Sequence, residues 1–296
     1  MKIGYPCINN GFECRPSRTF RLDNYSEDIL RDKVSGNLDC LEKILDWNSD
    51  KGLLFFRITS DLIPFGSHPV HELNFADEYA ETFQHLGEII NTHSMRISMH
   101  PGQYTVLNSK DEDVAERAIA ELQYHADILD ALGLDVKHKI QIHVGGVYGD
   151  KSASMQRFIQ RYTKLPPAIT RRLVIENDDV SYSVADCLEI HDEIGVPIIF
   201  DNLHHACLHN EEKEAEVLQQ VSGTWGTDDG IPMIDYSDQE PGERVGKHRE
   251  HIETNHFHDF LQTLESVNCD ADIMLEIKDK EKSALPALAV WKELQS

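Results

Sequence analysis

Positive charge is scarce in this chain: 28 Lys and Arg stand against 52 Asp and Glu, a formal net charge of −24. A uniformly basic surface, the usual footprint of a protein that grips a polyanion, is therefore excluded, and any such partner has to be met by a local patch. No apolar run approaches the roughly 20 residues needed to span a bilayer. Met1 leads into an apolar run without the basic and apolar regions of a signal peptide, so no membrane partner and a cytoplasmic location are expected. Cys7, Cys14, Cys40, Cys187, Cys207 and Cys269 are dispersed and include no CxxC pair, which excludes a zinc ribbon. Reduced, mostly buried thiols are expected. A Pro/Gly/Ser-rich linker, an internal repeat and a low-complexity tract are all absent, so residues 1–296 read as one domain.

What is present is alternation. Short runs rich in β-branched and aromatic residues occur near 2–5, 53–58, 95–99, 139–144, 173–176, 197–201, 231–236 and 272–277. Helical stretches separate them; at 113–132, Val114, Ala118, Leu122, Ala126 and Leu129 recur at spacings of three and four, enough to lay one apolar stripe on a sheet. Another helical stretch, 283–294, follows the eighth run. Eight strand–helix units in a chain near the roughly 250 residues typical of the fold predict an α/β protein, a single (β/α)8 TIM barrel.

Five of the runs stop at side chains that bind metals: ISMH at His100, IQIHV at His143, LVIEN at Glu176, PIIFD at Asp201 and IMLEI at Glu276. A parallel barrel gathers such endings onto one rim. DNLHH adds His204 three residues after Asp201, and Asp235 and His248 extend the ring to four imidazoles and four carboxylates. Mixed imidazole and carboxylate ligation suits Zn, Mn or Fe, and eight candidate ligands exceed what one ion uses, so two or three ions are expected with Glu176 as the bridge. A single strand-end His is more often a packing residue, and a single Asp or Glu a helix cap, but five endings together argue otherwise. His251, one helical turn from His248, is an alternative to it. His85, His125, His191, His209, His256 and His258 fall in helical or surface segments and read as structural. Cys207, close to DNLHH, reads as buried filling.

The segments GYPCINN, FRITSDLIPFGSH, MHPGQYTVLNS, IHVGGVYGDK, VIENDD, IFDNLHH and MLEIKDKE, in this order across nearly the whole chain, resemble the UV-damage endonuclease family. The resemblance implies a barrel related to endonuclease IV, a cluster of Mn2+ ions, and incision of damaged double-stranded DNA immediately 5′ to cyclobutane dimers and 6-4 photoproducts. It carries the metal ligands to His100, His143, Glu176, Asp201, His204, His248 and Glu276, and lesion probing to Gln103 and Tyr104. Tyr5 and Asn9 resemble residues near the lesion, and His68 is expected in the same cleft as a metal neighbour or phosphate contact. Glu176, Glu276 and Asp201 are the expected catalytic carboxylates, fixing ions and the nucleophile. Strand seven departs from the family: Met233 stands where a Lys open to carboxylation is usual and Asp235 where a His is usual. Asp235 is expected to ligate a hard divalent ion such as Mn2+ or Mg2+ in preference to Zn2+.

Arg15, Arg18, Arg21, Arg244, Lys247, Arg249, Lys278, Lys280 and Lys282 fall in loops expected to follow strands, which would make a basic rim on an acidic body. A monomer is expected. Two other classes fit the same fold: a metal-dependent sugar isomerase or epimerase, which needs a closed cavity, and a non-catalytic DNA-damage sensor, which the ligand ring disfavours.

Overall fold

Eight parallel strands close into a barrel in chain order in the computed structural model, which describes residues 1–208 and 211–295. They are β1 Ile3–Pro6, β2 Phe55–Ile58, β3 Arg96–Met99, β4 Lys139–His143, β5 Leu173–Glu176, β6 Ile198–Asp201, β7 Met233–Tyr236 and β8 Asp272–Leu275. β1 pairs with both β2 and β8, so no sheet edge is left open. Each expected strand is present. A helix follows each strand and covers the barrel, among them Glu27–Lys51, Glu112–Ala131, Thr254–Ser266 and Glu281–Leu294. Lys282, expected in a loop, lies in the last of these helices. His209 lies outside the described residues. No described helix is long and apolar enough to cross a membrane.

Local chemistry sets the boundaries. Ser26 caps Glu27–Lys51 by accepting from the Ile29 amide, and Gly52 ends it in a left-handed turn at φ 76°. Ser183 and Asp186 form a capping box that starts the helix Val184–Ile194 directly after the β5 loop.

Inward-facing side chains stack in layers. At the amino-terminal end Arg96 pairs with Asp272 at 3.2 Å and Lys139 with Asp229 at 2.5 Å. Above them lies an apolar layer of Phe55, Val174, Ile199, Met233 and Met274, all fully buried. Gly4 completes it, because a Cβ there would sit 1.6 Å from the Phe55 carbonyl oxygen. A polar layer then opens toward the carboxyl-terminal rim. A seal at the bottom and chemistry at the top is the division expected of this fold.

The cysteines need a correction. Cys14 and Cys40 form a disulfide, while Cys7, Cys187, Cys207 and Cys269 are free. Cys7 and Cys207 are only half-buried. The helix Glu27–Lys51 folds back along the β1 loop and brings the bonded Cα atoms to 5.8 Å across 26 residues of chain, a proximity that dispersed positions do not reveal.

Opening this bond frees the first rim loop. Dithiothreitol is expected to lower unfolding free energy by about 3.5 kcal/mol, the loop-closure value for a ring of this size, read as a lower denaturant midpoint. The Cys14→Ser, Cys40→Ser double variant should match the reduced protein and ignore reductant. Equal midpoints for oxidised and reduced chains would show that the bond carries no stability.

Candidate metal centre and rim

β3 to β6 deliver their terminal side chains to one point. Glu176, 1% exposed, lies at the centre. Its Oε2 is 3.4 Å from His100 Nε2 and 3.6 Å from His143 Nε2, and its Oε1 is 3.1 Å from His204 Nδ1. Two groups of three donors result, His100 with His143 and Glu176, and Glu176 with Asp201 and His204, each with its ligand atoms within 4.8 Å of one another. Glu176 belongs to both. His248 extends the arc, its ring 6.1 Å from that of His204. His251, the alternative to it, is 75% exposed and pairs with Asp279.

Neighbouring groups orient these donors. His100 Nδ1 lies 2.9 Å from the Pro101 carbonyl and His248 Nδ1 lies 2.8 Å from the Glu276 carbonyl; with the hydrogen on Nδ1, each Nε2 keeps its lone pair. Asp201 Oδ1 accepts from the His204 amide at 2.7 Å, which caps the short helix Asn202–Cys207 and explains the three-residue spacing. Its Oδ2, like His143 Nδ1, is buried without a hydrogen-bond partner. Orphaned donors and acceptors among hard oxygens and imidazoles fit a divalent ion. Asn177 follows Glu176 and exchanges two hydrogen bonds with the Asp201 backbone, at 3.0 and 3.1 Å; Asn202 follows Asp201 and accepts from Ser237 at 2.8 Å. These two amides lock β5, β6 and the β7 end together. They were not anticipated, although the acid–Asn pairs in VIEN and IFDN were a usable signal.

Beneath the ring lies a second unanticipated element. Arg57, in the middle of β2, is 3% exposed and donates to both oxygens of Asp235 at 2.7 and 2.8 Å, to Gln141 Oε1 at 2.9 Å and to Glu276. Gln141 in turn donates to Glu176 at 2.5 Å and to Asp235. Asp235, expected as a metal ligand, is in neither donor group, and its two oxygens accept from a guanidinium and an amide. Met233, two residues earlier, belongs to the apolar layer below.

Charge balance in this pocket is uneven. Burial works to raise Glu276, but Arg57 beside it holds its pKa at about 2. Burial likewise opposes ionisation of Glu176, and the imidazoles of His143, His100 and His204 outweigh it and bring the group well below its ordinary value. Asp201 is pushed well up, chiefly by burial. Burial would lower His204, yet Asp201 and Glu176 raise it to about 11. Buried carboxylates gathered around these imidazoles leave the site short of positive charge, the condition that attracts a divalent cation.

The rim is built by loops. The turn after β3, closed by a 2.9 Å bond from the Thr105 amide to the Gly102 carbonyl, leaves Gln103 exposed and Tyr104 84% exposed. A cleft of about 370 Å³ runs from this turn past His100 and His143 to Tyr148, Asp178 and Ser181. Tyr5 and Asn9, expected to line the cleft, are 0% and 2% exposed. The Tyr5 hydroxyl donates to Asn48 at 2.6 Å and accepts from Asn9 at 2.8 Å, because β1 turns this ring outward against the helix Glu27–Lys51. Both are packed into the base of the first rim loop. His68 accepts from the Val70 amide through Nδ1 and is in neither donor group. Arg15 is spent on the carbonyls of its own loop, including that of Cys14 at 2.8 Å, whereas Arg18, Arg21, Arg244 and Lys278 are exposed. Lys247 pairs with Glu243 at 2.9 Å.

A family model described as UV-endonuclease UvdE matches residues 1–296. A UV DNA damage endonuclease of Clostridium perfringens (strain 13 / Type A) is 38% identical over 296 residues, 99% of this chain and 71% of that protein. The crystal structure of SacUVDE superposes with a TM-score of 0.94 at 47% identity, covering 100% of this chain and 99% of that one. Endonuclease IV from Thermus thermophilus superposes with a TM-score of 0.62 at 13% identity, covering 100% of this chain and 99% of that one, a likeness of fold alone.

The floor yields a test that needs no substrate. Arg57→Met leaves buried carboxylates unpaired and is expected to cost about 3–5 kcal/mol in denaturant unfolding. Adding Asp235→Leu should recover a large part of the loss, because one unpaired charge is removed with its partner. Strictly additive losses would mean that Arg57 and Asp235 do not act as a pair.

Proposed function

The chain belongs to the UV-endonuclease family, and we propose that it nicks double-stranded DNA immediately 5′ to cyclobutane dimers and 6-4 photoproducts, leaving a 3′-hydroxyl and a 5′-phosphate. The observation that carries this reading is the shared carboxylate: Glu176 joins two donor groups below an exposed Gln103–Tyr104 turn. Two or three divalent ions would be held there, most readily Mn2+, with Zn2+ or Mg2+ compatible with the same donors. Such ions supply an activated water and relieve charge on the phosphate oxygens.

The protein's own groups do the rest. His100 and His143 hold one side of Glu176, and Asp201 and His204 the other. Glu276, steadied by Arg57, and His248 orient the far end of the arc. Gln103 and Tyr104 enter the duplex where stacking is already broken, the ring filling space between bases and the amide meeting an exposed base edge. Opening a base step costs a few kcal/mol and least at a lesion, so damage is selected without reading sequence. Exposed Arg18, Arg21, Arg244 and Lys278 on the first, seventh and eighth rim loops meet the phosphates, while the acidic charge of the body repels DNA elsewhere. The protein acts as a monomer in the cytoplasm.

Wild-type protein with Mn2+ is expected to nick irradiated supercoiled plasmid and spare unirradiated plasmid; an isomerase or a passive sensor would nick neither. Glu176→Ala should abolish nicking and lower bound metal by mass spectrometry with the fold retained by circular dichroism. Full metal and full activity in that variant would overturn the bridge assignment.

Recognition is separable from chemistry. Replacing Gln103 and Tyr104 together by Ala should cost about 1–3 kcal/mol of affinity for photodimer duplex, the worth of a lost stacking contact, with metal content unchanged. Undiminished discrimination between damaged and intact duplex at equal salt would remove the probe role.

A further inference from the structure

Among the described residues, the large hydrophobic side chains more than two-thirds exposed are three: Tyr104, Val180 at 75% and Val245 at 71%. All three stand on loops at the carboxyl-terminal rim. Isolated apolar residues on a surface are ordinary, but these valines are held out by stiff turns. Val180 tips the loop after β5, four residues beyond Glu176. The Asp178 carboxylate accepts from the Val180 amide at 2.8 Å, from the Ser181 amide and from the Tyr182 amide at 3.1 Å, and the Asp178 amide donates to the Tyr182 carbonyl at 2.9 Å. Buried Tyr182 anchors this turn on Gly146 at 3.0 Å.

Val245 tips the strap after β7, three residues before His248. Gln239 and His248 form an antiparallel bridge at the base of the strap. Higher up, the Glu240 amide donates to the Lys247 carbonyl at 2.8 Å, and the Gln239 side chain accepts from the Gly246 amide at 2.8 Å while donating to the Arg244 carbonyl at 2.9 Å. The two tips touch. Gly246 packs so closely on the β5 loop that a Cβ there would lie 2.8 Å from Asp179 Oδ2. Val180 and Val245 therefore adjoin the points of contact between two hydrogen-bonded turns.

Their place on the barrel gives them a partner. β3 and β7 are four strands apart in a closed ring of eight, so the strap lies across the ligand arc from the Gln103–Tyr104 turn. Exposed Arg244 adjoins Val245; of the nearby carboxylates, Asp178 is engaged by its turn and Glu243 by Lys247, while half-buried Asp179 lies between the two turns. An apolar tip flanked by a guanidinium, facing a second tip with an aromatic ring, matches the wedge-and-phosphate arrangement by which proteins open a base step from the minor groove. We propose that Val180 and Val245 form a second wedge against duplex DNA, packing on base edges across the metal centre from Tyr104 and holding the bend that exposes the scissile phosphate. This rests on the endonuclease reading above.

The test is equilibrium binding of wild type and of the Val180→Ser, Val245→Ser double variant, in Mn2+, to photodimer duplex whose scissile phosphodiester is replaced by a non-hydrolysable linkage, so that binding is read without incision. A 2-aminopurine placed opposite the lesion reports unstacking. The variant is expected to bind roughly tenfold more weakly, the scale of one lost unstacking contact, and to lose most of the fluorescence rise. Its slope of log affinity against log salt should match wild type, because no phosphate contact is removed. Val180→Ile, Val245→Ile should retain wild-type affinity. Wild-type affinity and fluorescence in the serine variant, or a loss accompanied by a shallower salt slope, would overturn the wedge. If wild type itself failed to prefer damaged duplex, the endonuclease reading would fall first, an outcome visible before any variant is made.

Discussion

One guanidinium makes the rest of the centre possible. Four carboxylates, Glu176, Asp201, Asp235 and Glu276, converge inside the barrel, and the first three are essentially sealed from solvent. Water cannot stabilise them there, and a set of buried anions without a counter-charge would unfold the rim or take up protons. Arg57 reaches up from the middle of β2 and meets Asp235 and Glu276 directly, and Gln141 extends its reach to Glu176. A lysine would not serve, since one ammonium cannot address three partners on separate strands in the planar fork that arginine offers. The remaining negative charge is left facing upward, where a divalent cation can be received.

The same economy explains how a strongly acidic protein meets a polyanion. The lower layers of the barrel neutralise themselves in ion pairs such as Arg96 with Asp272. Uncompensated negative charge is divided between the outer surface, where it is solvated, and the ligand arc, where cations would cancel it. With cations held in that arc, a polyanion would meet a face whose sign is set by metal and a few loop cations, not by the net charge of the chain.

Much of this was legible in the sequence because a barrel converts strand order into rim order. Eight apolar runs and five ligand endings fixed the fold and the placement of His100, His143, Glu176, Asp201 and Glu276, since the carboxyl end of a parallel strand can only reach one rim. Arg57 and Gln141 carry a subtler signal: FFRI and IQIH each set a polar residue inside a run that a closed barrel buries on both faces, and such a residue must have a buried partner. Asp235 belongs with them. Its position facing inward was correct, but periodicity does not say whether an inward acid meets a metal or a guanidinium contributed by a strand across the ring. Tyr5 faced the wrong way because a four-residue strand offers two faces and the motif around it does not choose between them. The Cys14–Cys40 bond depends on how one helix folds back over one loop, which no local pattern records.

The floor and the rim differ in their freedom to change. Arg57 is committed to partners on β4, β7 and β8 at once, so a substitution there must be matched at several positions before the barrel is sound again. Val180 and Val245 are 75% and 71% exposed and stand on turns whose geometry is set by Asp178 and Gln239, so their side chains can be exchanged one at a time at little cost to folding. Engineering of the two parts differs accordingly: a loop tip accepts single exchanges, while the floor must be changed as a set.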